Sequence, residues 1–239
     1  MRLRFEMKLP ICTLFALLAL VACNSFAAGP AEARGTLRGL SWSGEITDLL
    51  IESKGNLTPI HFNPNAPSEK YSFALDKPLI FYRMVADAEG KQIPQEVTRI
   101  ESPGKISGAI LVLLLPDAAA GSYSAFAMPE DTTSFPVGSY RFANFSEEKL
   151  AILFSGSQLI LDPHKTHLLI PEDKAEAATI DIQLYGQREE KAMRLYSNLW
   201  GFKSDVRTLV LIAPLPNNPG RITVRRVPER IFKSVPPEQ

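Results

Sequence analysis

Short apolar runs separated by turn residues cover the chain from about residue 35 to 230. In the first stretch the runs fall at residues 37–42, 46–52, 57–62, 71–75, 79–85, 109–115 and 122–128. Asn63-Pro-Asn-Ala-Pro67, Asp87–Gly90 and Ser102-Pro-Gly104 stand between them as breakers. In the second stretch the runs fall at 139–145, 150–154, 158–161, 166–170, 178–185, 193–199, 206–213 and 222–227. Ser155-Gly156 is a two-residue hairpin signal. Runs of this length and spacing predict strands of antiparallel sandwiches. Residues 109–115 and 206–213 are apolar on both faces, which predicts central strands covered on both sides. Residues 221–225 alternate Arg221, Thr223 and Arg225 with Ile222 and Val224, a pattern suited to an edge. In the run 193–199, period two puts Met193, Leu195, Ser197 and Leu199 on one face. That face is assigned inward, which leaves Tyr196 and Trp200 partly over the outer face. Residues 172–178 are the best short helical candidate.

The order of features repeats. Gly35-Thr-Leu-Arg38 leads into an aromatic-bearing strand and an acidic turn, and so does Gly138-Ser-Tyr-Arg141. Residues 105–117 parallel 203–216, and 121–130 parallel 220–229. The offset is 103 residues at the start and 99 at the end. The fold expected is therefore all-β: two tandem Ig-like antiparallel β-sandwich domains made by internal duplication. Their bounds are 35–130 and 138–229, with a linker at 131–137 and a flexible tail at 230–239. Pro129 and Pro136 stiffen the linker into a limited hinge.

Residues 1–28 read as a signal peptide. Arg2, Arg4 and Lys8 precede an uncharged run at 9–22 that is too short to span a bilayer. Leu20-Val-Ala-Cys23 has the pattern of a bacterial lipobox, with Cys23 as the acylated residue. The competing cleavage point lies at residues 25–28. The address expected is export to the periplasm or outer membrane of a bacterium, with membrane contact only through the lipid anchor. Both cysteines, Cys12 and Cys23, lie in the leader, so the sandwiches hold together without disulfides.

Cleavage before Cys23 removes three bases and one acid, leaving 23 basic and 25 acidic side chains, net −2. That balance argues against nucleic acid. The sequence carries no nucleophile elbow, zinc-protease helix motif or P-loop, and no catalytic, metal or cofactor residues are assigned. His164 and His167 lie three apart, which on a strand sends them to opposite faces. The adjacent pairs Glu147-Glu148 and Glu189-Glu190 read as solvated turns. The candidate binding surface is Arg194, Tyr196, Trp200 and Phe202, aromatic rings on an outer face able to dock a partner or stack on a sugar. The expected function is that of a non-enzymatic envelope protein with a structural or protein-interaction role. The alternative is a carbohydrate- or surface-binding module using the aromatic face. The partner, an envelope protein or a glycan, is not named by the sequence.

Phe135-Pro-Val-Gly-Ser-Tyr-Arg-Phe-Ala-Asn-Phe-Ser146, with the Ser155-Gly156 hairpin and the Leu161-Asp-Pro163 turn, resembles uncharacterised exported β-sandwich proteins of bacteria. The resemblance covers residues 135–171 and implies fold and export but no activity. In length and tandem Ig-like units the chain is also similar to periplasmic pilus chaperones. Their strand motifs and basic anchoring pair are not found here, so their function is not carried over.

Overall fold

A computed structural model describes residues 33–117, 121–171, 177–188, 191–215 and 218–231. Eight strands form the first half: β1 (Arg34–Ser41), β2 (Leu49–Ser53), β3 (Asn56–Pro59), β4 (Tyr71–Ala74), β5 (Leu79–Ala86), β6 (Gln92–Ile100), β7 (Ala109–Pro116) and β8 (Tyr123–Pro129). Eight form the second: β9 (Tyr140–Asn144), β10 (Leu150–Phe154), β11 (Ser157–Leu161), β12 (Thr166–Leu169), β13 (Ala177–Arg188), β14 (Lys191–Lys203), β15 (Val206–Leu215) and β16 (Asn218–Arg230). The first half pairs them as β4-β1-β7-β8 and β3-β2-β5-β6. The second pairs them as β12-β9-β15-β16 and β11-β10-β13-β14. Adding eight to each strand of the first half gives the second. The expectation of two β-sandwiches holds, and the repeat read from the sequence is a repeat of topology.

Each half contains one parallel pair, β1 with β7 and β9 with β15, and the remaining pairs are antiparallel. The hairpins β2–β3 and β10–β11 turn at the same place. Lys54-Gly55 and Ser155-Gly156 all have positive φ, the geometry of the two-residue turn whose twist matches the flanking strands.

One strand was not legible as such. Gln92–Ile100 is mostly polar and contains Pro94, yet it forms β6. It lies at the edge of its sheet, where a missing ladder donor is tolerated. Its counterpart in the second half, β14, is likewise an edge strand. The helical candidate 172–178 falls outside the described residues at 172–176, and Ala177 begins β13. The tail is described only to Ile231, and β16 runs to Arg230.

Alternation sorts the side chains into three cores. Leu37, Leu49, Phe62, Phe81, Ile110, Val112 and Leu114 fill the first sandwich. Gly39 makes room for Phe62: a Cβ at residue 39 would lie 2.0 Å from the Phe62 ring. Phe142, Ile152, Ile182, Leu184, Trp200, Val210 and Ile212 are among those filling the second sandwich. The third core lies between the halves. Leu111 and Leu113 of β7 meet Leu209 and Leu211 of β15, with Leu40, Ala143, Met128 and Val227 around them. Both two-sided apolar strands thus owe their second apolar face to the other half, and the halves belong to one compact unit.

The contact is isologous in the sense of a two-fold dimer, each half offering the same patch. Leu40 and Ala143 occupy equivalent places, as do Trp42 and Phe145, Leu111 and Leu209, and Met128 and Val227. Across the seam Trp42 receives the Arg225 guanidinium at 4.7 Å, while Phe145 meets Phe126 edge-on at 4.9 Å. Of the residues expected to hinge, one, Phe135, is a buried wedge, while Thr132, Thr133 and Val137 are exposed. Phe135 is part of the third core, with the Arg141 and Arg207 guanidiniums over its ring at 4.6 and 4.9 Å.

Candidate binding cleft

The surface expected from Arg194, Tyr196, Trp200 and Phe202 does not form. Trp200 and Phe202 are 0% and 2% exposed and belong to the core of the second sandwich. Tyr196 packs against that core half-buried, its hydroxyl accepting from Trp200 Nε1 at 3.1 Å. Only Arg194 stands on the surface. The expected phase of β14 is inverted, and Leu199, assigned inward, is 65% exposed. The cause is a bulge. Leu184 pairs with Tyr196 and Tyr185 with Arg194, so Leu195 is an extra residue that shifts every later side chain to the other face.

Behind Trp200 the second sandwich opens. A cleft of about 560 Å3 lies along the side where β14 and β16 are the edges, lined by Tyr140, Lys203, Val206, Thr208, Val224 and Arg226, among others. Arg226 pairs with Val210, a core residue, and so points to the inner side of its sheet. Its guanidinium lies over the Trp200 ring at 5.0 Å. Tyr140 stacks on Trp200 at 5.9 Å and is 3% exposed, and Thr208 sits beside it in register. Burial pushes the Tyr140 phenol up, against the pull of Arg226. Sequence reading missed these residues. The available signal was the adjacent pair Arg225-Arg226 in an alternating strand, since one of the two has to face inward.

The charged groups at the seam do a different job. Arg207 Nε and Nη2 hold Glu229 Oε2 at 2.8 and 2.6 Å, and Nη1 donates to the Glu130 and Phe135 carbonyls at 2.8 and 3.1 Å. Arg38 pairs with Glu130 at 3.2 Å and with Glu229. Arg141 donates to the Pro129 and Ser134 carbonyls. Burial pushes the Glu130 carboxyl up to about 7, outweighing Arg38 and Arg207, with Glu229 adding in the same direction and Lys70 opposing. Burial also pulls Arg141 and Arg225 down.

Glu130 makes stability depend on pH. Between the ordinary value of 4.5 and about 7, the folded protein keeps a proton that the unfolded chain has released. Stability therefore falls as pH rises through that window, by about 2 kcal/mol between pH 5.5 and 8. Urea denaturation at the two pH values should show this loss, and Glu130→Gln should remove it. An equal loss in the variant would place the titration elsewhere.

His164 pairs with Glu147 at 3.1 Å, and His167 lines a second cavity of about 470 Å3 beside Phe154 and Ile170. Among the described residues no group of three or more His, Cys, Asp or Glu is placed to hold a metal ion, and no helix is long and apolar enough to cross a membrane. Cys23 and Glu189-Glu190 lie outside the described residues. No family model matches the chain, and a search of curated proteins finds no match.

Proposed function

We propose that this chain is an exported, non-enzymatic protein of the bacterial cell envelope, anchored through an acylated Cys23, that binds another envelope component as one rigid body of two Ig-like sandwiches. The observation that carries this reading is the seam. A third apolar core, a buried arginine–glutamate cluster and the Phe135 wedge join the halves. Such a body presents outer sheet faces and edge strands to a partner and does not work by closing one half over the other. The leader, with its lipobox pattern at Cys23, supplies the address.

A second reading, glycan binding, keeps support from a different face than the one expected. Asp181, Gln183 and Tyr185 alternate with the core residues Ile182 and Leu184, and so stand on the outer face of β13. They form a hydrogen-bonded row, Tyr185 to Gln183 at 2.7 Å and Gln183 to Asp181 at 2.8 Å.

The test is fractionation and in-cell crosslinking of the tagged protein beside its Cys23→Ser form. The expected result is membrane recovery with one or two specific protein partners, and release to the soluble fraction with loss of those partners in Cys23→Ser. An unchanged distribution removes the anchor. Recovery of polysaccharide without protein moves the assignment to the Tyr185 row.

A further inference from the structure

We infer that the cleft between β14 and β16 is a binding site for a small organic anion. Its charged group sits between Arg226 and Lys203, its apolar body lies on Val206 and Val224, and its inner end reaches the Tyr140 and Thr208 hydroxyls. Three observations carry this.

The first is a hydroxyl turned to the cleft. Tyr140 is 3% exposed and lines the cleft, and its hydroxyl makes no hydrogen bond to any described residue. It is not among the buried atoms left without a partner, so it faces the open cleft, where a ligand can bond it in place of water.

The second is unneutralised charge at the mouth. Among the described residues neither Arg226 nor Lys203 has a carboxylate partner, and the Arg226 guanidinium lies over the face of Trp200. Everywhere else an inward-facing or seam arginine is tied down: Arg38 and Arg207 by glutamates, Arg141 and Arg225 by main-chain carbonyls. A guanidinium held over an aromatic ring is pre-oriented to receive a carboxylate or phosphate.

The third comes from the repeat itself. Strand register pairs each cleft residue with a counterpart in the first half. Leu37 lies opposite Ile110 there, where Tyr140 lies opposite Thr208 here. Ala127 lies opposite Val112 there, where Arg226 lies opposite Val210 here. Leu37 and Ile110 belong to the first core, and Ala127 packs against it. The second half has thus placed two hydroxyls and a cation at three positions that the first half fills with hydrocarbon. A scaffold needing only a closed core has no use for them. The cleft volume suits a small ligand with one charged group.

The test is an NMR titration of the 15N-labelled exported protein with 1-naphthyl phosphate, with inorganic phosphate and 1-naphthol as separate probes. Naphthyl phosphate should shift the amides of Gly201, Lys203, Thr208 and Arg226 saturably. Arg226→Ala, which installs the residue of the first half, should weaken it about tenfold or more, and Tyr140→Phe should weaken it several-fold. Arg221→Ala, an exposed arginine on the same strand, should leave it unchanged. If Arg226→Ala does not fold, Lys203→Gln serves as the rim variant. Shifts centred elsewhere, equal loss in Arg221→Ala, or equal affinity for inorganic phosphate or for neutral 1-naphthol would each overturn the assignment.

Discussion

Arg207→Ala is expected to lower the unfolding free energy by about 3–5 kcal/mol, the cost of removing one partner from a buried ion cluster. The size follows from what the guanidinium leaves behind. Glu229 loses two short contacts and keeps Arg38 alone, while the Glu130 and Phe135 carbonyls lose their donor. Phe135 also loses one of the two cations stacked on it, and the third core opens beside it. Denaturant unfolding followed by tryptophan fluorescence measures the effect, because Trp42 reports the seam and Trp200 the second core. With the seam weakened, the Trp42 signal is expected to change at a lower denaturant concentration than the Trp200 signal. A shift below about 1 kcal/mol would mean that water replaces the guanidinium, as at a surface pair.

Trp200→Ala is expected to cost about 3–5 kcal/mol as well, the range for deleting a large aromatic from a core. Its ring stacks on Tyr140 and Phe142, supports Arg226 and donates to Tyr196. Leu199→Ala, one residue away, should stay within about 0.5 kcal/mol of the parent, because Leu199 is 65% exposed. Paired thermal melts decide the matter. The opposite ranking would restore the outer-face placement of Trp200 that simple alternation suggests.

That inversion shows where the sequence stops being legible. Element existence was plain wherever apolar residues alternate or run on both faces, and the two-sided runs correctly called for cover on both sides. What supplied the cover was not plain, because the partner of Leu111 and Leu113 is another strand of the same kind about 100 residues later. A one-residue bulge carries no composition signal, so the phase after Leu195 was unreadable from β14 alone. Strand β6 was hidden by Pro94, although a repeat of the second half calls for a strand at that place. The cleft residues were hidden for another reason. A tyrosine, a threonine and an arginine are ordinary in edge and rim positions, and they become unusual only when set against Leu37, Ile110 and Ala127.

Two identical sandwiches meeting through this patch would be obliged to carry every substitution twice, once on each side of the axis. One continuous chain lifts that obligation. The shared face keeps its matched residues, while the sides away from it differ: Ala127 packs against the first core on one flank, and Arg226 lines an open cleft at the corresponding place on the other. Fusion here is a licence for asymmetry.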